Sequence, residues 1–133
     1  MRTCGISFSG SEAPLVILND EGIHVLTTVK KIKLHGTTAE DLRAFKALFE
    51  SFARDERVDV FVVRQPATKG QQRAGADAIR MDTLVRLAEG SFAVETVAPQ
   101  TIAAKFKKAP FERPQSVAAF QEDAYRVAKL RAD

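Results

Sequence analysis

Six consecutive residues near the middle of the chain, Val58-Asp59-Val60-Phe61-Val62-Val63, restrict its fold more than any other stretch. A nearly unbroken β-branched run suits a strand covered on both faces, and such strands lie at the centre of parallel or mixed sheets. Parallel strands cannot be joined by tight turns, so helices must cross over the sheet on either side of this run, with right-handed connections. Pro66, after Arg64 and Gln65, has no amide hydrogen for a ladder and ends the strand.

The flanking sequence supplies what such a strand needs. Upstream, an apolar run reaching Gly5-Ile6-Ser7 is followed by a small-residue turn at Ser9-Gly10-Ser11 and a second apolar run, Ala13 to Leu18. Asn19-Asp20 with Gly22 makes another turn, and Gly22 to Leu34 alternates as a third strand with a basic far end at Lys30, Lys31 and Lys33. These three segments form an antiparallel meander. Thr37 with Glu40 predicts a capping box, and Leu42, Phe45, Leu48, Phe49 and Phe52 then share a helical stripe that packs on a sheet. The charged run Arg54 to Arg57 is read as a solvated connection.

Downstream, Ala67 to Arg73 is a glycine-containing loop, and a helix is expected from about Gln72 to Glu89, stopped by Gly90. Ser91 to Val97 alternates as a fifth strand. A short helical turn from Pro99 to Phe106, a basic proline-bounded loop from Lys105 to Pro114, and a last helix from about Pro114 to Leu130 complete the chain. The last helix carries Val117, Phe120, Ala124, Val127 and Ala128 on its apolar face. The expected architecture is one α/β domain over residues 1–133, a mixed five-stranded sheet in the order 3-2-1-4-5 with strand 2 antiparallel, flanked by helices.

Composition agrees with one soluble globular domain, since 45% of the 133 residues are hydrophobic and 28% charged. Neither a leader-like segment nor an eighteen-residue apolar run is present, so a cytoplasmic protein without membrane partners is expected. The single cysteine, Cys4, lies in an apolar strand and reads as a buried inert thiol. His24 and His35 are far apart and lack cysteine partners, so they read as strand-face and turn residues rather than metal ligands. A net charge of +3 permits a polyanionic partner without requiring one. Two catalytic patterns fail on spacing: Gly5 to Ser9 lacks the second glycine of a nucleophile elbow, and Lys69-Gly70 has the wrong order for a phosphate loop.

The succession of elements resembles the ribonuclease H-like fold and, within it, the RuvC-like branch of dimeric Holliday-junction resolvases. The residues that carry this resemblance are Cys4 to Ser7 with Gly10-Ser11, Val60 to Gln65, Ala98-Pro99-Gln100 with Lys105, and Glu122 to Tyr125. Over its whole length the chain also resembles a bacterial family known only as a domain of unknown function. The resemblance implies a homodimer and two-metal phosphodiester hydrolysis with Mg²⁺ or Mn²⁺, the carboxylates coming from strand one, strand four and the last helix.

Here the pattern departs. The strand-one acid position is Ser7, the strand-four position falls at Arg64 or Gln65, and only Asp123, beside Glu122, keeps an acid in the last helix. A hard dication needs several anionic oxygens, and a strand-four cation repels it. Glu12 is the other acid within reach of strand one and contributes only if it points to the same face. The plain alternative for Asp123 is a surface acid paired with Arg126 or Lys129. The sheet order gathers Arg64, Lys69, Arg73, Lys105, Lys107, Lys108 and Arg113 around the sheet end that holds Ser7, with Phe106 and Phe111 interleaved, a pattern suited to nucleic-acid phosphates.

Three functions are weighed. The first is a RuvC-like domain that binds structured DNA with a degenerate or absent metal site. The second is a Mg²⁺- or Mn²⁺-dependent nuclease with Ser7, Glu12, Glu122 and Asp123 as its catalytic set and Asp123 as metal ligand. The third is a non-enzymatic homodimeric interaction module.

Overall fold

In the computed structural model, which describes residues 1–66, 75–108 and 112–132, the chain forms a mixed sheet with helices on both faces. The strands are β1 (Thr3–Ile6), β2 (Glu12–Leu18), β3 (His24–Val25), β4 (Lys31–Lys33), β5 (Val60–Arg64) and β6 (Ala93–Val97). The helices are α1 (Ala39–Asp55), α2 (Ala76–Leu87), α3 (Pro99–Lys108) and α4 (Glu122–Ala132), with a 3-10 turn at Ala119–Gln121. Along the sheet the order is β3-β2-β1-β5-β6, and β4 pairs separately with β2. The predicted order therefore holds, and β2 is antiparallel to β1 as expected.

β5 lies parallel to both β1 and β6, which accounts for its apolar sequence: Val60, Phe61, Val62 and Val63 are all buried. β1 and β2 meet through a two-residue hairpin closed by reciprocal hydrogen bonds between Ser9 and Glu12 (2.9 and 3.0 Å). Gly10 takes φ 60 at the first loop position while Ser11 stays at negative φ, the type II′ arrangement. At the next turn the Asn19 side-chain oxygen accepts from the amides of Glu21 and Ile23.

The third strand is broken, contrary to the expectation of one strand from Gly22 to Leu34. Val25 opposes Ile17 and Lys31 opposes Pro14, so five residues, 26–30, stand opposite only Leu15 and Val16. A bulge of this size cannot stay in the ladder, and Thr27 satisfies part of it locally by donating its hydroxyl to the Val29 carbonyl (2.6 Å).

One face of the sheet packs Cys4, Ile6, Leu15, Ile17, Ile32, Phe61 and Val63 against Phe45, Phe49 and Phe52 of α1 and Met81 and Val85 of α2. Phe49, Phe61 and Phe92 form an aromatic cluster with centroid separations of 4.6, 5.8 and 5.1 Å. Cys4 is fully buried here, and burial pushes its thiol far above the usual range, as expected of an inert cysteine. Leu48 does not join this face but is 52% exposed. The capping box of α1 is also one residue later than predicted, with Thr38 and Asp41 exchanging the two bonds.

The opposite face is covered by α4. Val16 and Leu18 pack against Val117, Ala124, Tyr125 and Ala128, and Val62 packs against Ile102 and Val127. α4 sits directly on Gly5, where an added Cβ would lie 1.9 Å from the Ala124 carbonyl oxygen. Gln121 next to the Leu15 carbonyl and Lys129 next to Gly22 show that α4 runs antiparallel to β1. Its N-terminus thus lies at the C-terminal end of β1.

Three helix boundaries differ from expectation. α2 ends at Leu87, two residues early. The expected start of that helix at Gln72 lies outside the described residues. The segment Lys105–Lys108 continues α3 instead of forming a loop, because Ile102 and Phe106 fall on one helical stripe against Val62 and Val127. The last helix starts at Glu122 rather than Pro114: the Gln121 side chain accepts from the Ala118 amide and donates to the Leu15 carbonyl, fixing a turn before the helix and leaving Phe120 46% exposed. Among the described residues, no helix is long and apolar enough to cross a membrane.

Candidate nucleic-acid interface

Strand alternation decides which predicted residues share a face. In β1 and β2, Gly5 opposes Val16 on the side covered by α4, so Ser7, Pro14 and Glu12 follow on that side. In β5 the same side carries Val62 and then Arg64. Extending the parallel register by one residue sets Ser7 level with Arg64, on adjacent strands and one face. Ser7 is 4% exposed and its amide donates to the Pro14 carbonyl (3.3 Å); Pro14 has no amide hydrogen to return, so this pair is held by one bond. Arg64 is half-buried at the last position of β5.

The N-terminal turn of α4 brings Glu122 and Asp123 toward this end. Glu122 pairs with Arg126 one turn on (3.9 Å), and the Arg126 guanidinium lies 5.9 Å from the Phe106 ring centroid. That contact sets the basic second half of α3, with Lys105 half-buried and Lys107 exposed, beside the first half of α4. Asp123 is exposed. An acid in the first turn of a helix gains from the aligned peptide dipoles whether or not it binds a ligand.

Glu12 shares the face of Ser7 but not its site. Its carboxylate is held by Lys31 at 3.0 Å, toward the β4 edge. Arg113, expected among the phosphate contacts, donates to the Val117 carbonyl (2.9 Å) and so also clamps the turn before α4. Lys69, Arg73, Phe111 and the side chain of Lys108 lie outside the described residues.

His24 lies on β3 and bonds Ser116 through Nδ1 (2.8 Å); desolvation, then the Lys30 charge, lowers its pKa. This agrees with its reading as a strand-face residue. Arg126 was expected only as a partner for Asp123, and Gln121 was missed in the sequence. The Arg126–Glu122 pair is signalled only by its spacing, and buried Gln121 by no local pattern, since its partner Leu15 is 106 positions away.

The donor set does not fit a pair of divalent cations. Ser7 offers a neutral hydroxyl and Arg64 a positive charge, while Glu12 and Glu122 are each engaged by a cation. Among the described residues no group of three His, Cys, Asp or Glu side chains converges to hold a metal. Asp123 itself stands exposed in the first turn of α4, with Glu122 beside it held by Arg126. What the register does bring together is the Arg64 guanidinium and the buried Ser7 hydroxyl on one face.

Comparison with solved structures explains the architecture. Thermus thermophilus RuvC in complex with a Holliday junction substrate superposes with a TM-score of 0.73 at 16% identity, covering 99% of this chain and 92% of that one. A second Thermus thermophilus RuvC structure gives 0.66 at 15% identity, covering 99% and 93%. The fold is α/β and ribonuclease H-like, of the RuvC type. No curated protein matches the sequence. The family model described as "Protein of unknown function (DUF3010)" matches residues 1–130, and the chain belongs to that family.

Proposed function

We propose that the protein binds nucleic acid, with structured DNA as the preferred substrate class, at the sheet end formed by Ser7, Arg64, the N-terminal turn of α4 and the basic half of α3, and that it does so without a two-metal nuclease site. The observation that carries this reading is the level placement of Ser7 and Arg64 on one face. At that place a guanidinium supplies the positive charge that a phosphate needs and that divalent ions would otherwise bring. Lys105 and Lys107 extend the charge along α3, while Phe106 between them packs against Val62 and Val127 and anchors the helix. The resemblance to a RuvC bound to a Holliday junction supports a junction as the first ligand to try. Homodimerisation, implied by the same resemblance, belongs to this proposal and is read by sedimentation velocity.

The test is a fluorescence-anisotropy titration of a labelled four-way DNA junction, with duplex as competitor, across a salt series. Preferential junction binding with a steep negative salt dependence is expected. The Lys105→Glu/Lys107→Glu variant should bind more weakly and reduce the log–log salt slope by about two, one for each lost phosphate contact. No binding at low salt, or a slope unchanged in the variant, would reject the reading and favour a protein-interaction module.

A further inference from the structure

The outer edge of β4 has no partner strand among the described residues, since β4 pairs only with β2. The Leu15 amide donates to the Lys30 carbonyl (2.9 Å) and the Leu34 amide to the Ser11 carbonyl (2.8 Å), so the even-numbered residues of this strand aim their backbone groups at β2. By alternation, the amides and carbonyls of Lys31 and Lys33 aim outward. Beside this edge runs a groove of about 380 Å³ between β4 and α1, with Val29 and Ile32 on the strand side and Leu48, Phe52 and Asp55 on the helix side. Val29 is 44% and Leu48 52% exposed, and Leu48 stands out in α1, where Phe45, Phe49 and Phe52 are buried.

An open strand edge next to an apolar groove is the geometry in which an extended peptide adds a strand, its backbone bonding the edge and every second side chain entering the groove. Charge indicates which peptide. Lys31 and Lys33 point to the sheet face away from α1, where Lys31 meets Glu12 and lies 5.3 Å from the Phe120 ring centroid. Ile32 points toward α1. A strand added antiparallel would set two side chains opposite the lysines and the one between them against Leu48 and Phe52. Two copies of β4 paired edge to edge would set lysine against lysine, which is unfavourable and is a common guard against such pairing.

We propose that the β4–α1 groove binds an extended segment of a partner protein in which acidic and apolar residues alternate, added as an antiparallel strand to β4. The acidic side chains face Lys33 and Lys31, and the apolar side chain between them enters the groove beside Leu48. The groove is on the opposite side of the sheet from α4, the two lysines are on α4's side, and the proposal does not depend on the nucleic-acid reading.

The test is an anisotropy titration of the full chain with a fluorescein-labelled peptide in which Glu and Val alternate. Two control peptides carry the same residues with the acids in one block, or N-methylated amides. Binding near micromolar is expected for the alternating peptide, and at least about tenfold weaker for both controls. Lys33→Pro removes an outward amide without touching a bond to β2, and Leu48→Asp fills the groove with charge; each should weaken binding about tenfold or more. Lys33→Glu should transfer preference to a peptide alternating Lys and Val, and it carries the test if the proline variant fails to fold. Absence of binding, or equal binding by the N-methylated peptide or by the Leu48→Asp and Lys33→Glu variants, overturns the proposal. A wild-type dimer that dissociates on Leu48→Asp, with no peptide bound, also overturns it and gives the groove to a second copy of the chain.

Discussion

Gly5 has no side chain because the backbone of α4 occupies the space where one would stand. A Cβ there would lie 1.9 Å from the Ala124 carbonyl oxygen and 2.9 Å from the Ala128 methyl. Neither neighbour is a flexible side-chain end, so relief requires moving the helix off the sheet. Gly5→Ala should therefore destabilise the protein by about 3 kcal/mol, read as a lower urea midpoint at unchanged m-value. A change under about 0.5 kcal/mol would show that α4 does not seat this closely. The sequence shows Gly5 as part of a strand and gives no sign of this role. The reason for the glycine lies in α4, more than a hundred positions away. Ser7 and Arg64 differ: their types and strand positions were readable, but their shared level and face depend on the β1–β5 register.

Among the elements, α1 shows how local and distant forces divide the work. Its start is local. Thr38 Oγ1 accepts the Asp41 amide at 3.1 Å, and the Asp41 carboxylate reaches back to the Thr38 amide at 3.4 Å. Thr38→Ala should cost about 1 kcal/mol in chemical denaturation, whereas Thr37→Ala should be nearly silent because the box is one residue later than the Thr37–Glu40 pair suggested. Its apolar stripe was legible from spacing, apart from Leu48, which lies on the same stripe but beyond the sheet edge. The break in the third strand and the C-terminal end of α3 were not legible. Alternation from Gly22 to Leu34 continues through residues 26–30, and only the shorter partner strand reveals that three of those thirteen residues are surplus to the ladder. In α3, two prolines flanking a lysine-rich stretch resembled a loop, but burial of Ile102 and Phe106 against the sheet favours the helix.

At the scale of the molecule, the site is a meeting of β1, β5, α3 and α4, drawn from residues 7 to 126. Its charge decides the response to divalent ions. Millimolar Mg²⁺ or Mn²⁺ should leave the thermal midpoint of the wild-type protein unchanged, because a ligand stabilises only a fold that offers it a site. The double variant Ser7→Asp/Arg64→Glu should gain a metal-dependent rise in midpoint, since it sets two carboxylates on adjacent strands at one level. A rise of equal size in the wild type would mean that acids outside Ser7 and Arg64 already hold the ion.

The sequence by itself determined the fold class and the strand order, and it sets a serine at position 7 and an arginine at position 64. Those are properties of residue type, hydrophobic period and chain order, each read within a few consecutive positions. Only the tertiary structure decided where α4 could rest, that Glu12 turns to Lys31 rather than to Ser7, and that the β4 edge stays open beside α1. Each of these depends on contacts between segments far apart in the chain, and no local pattern encodes the register or the face on which such segments meet.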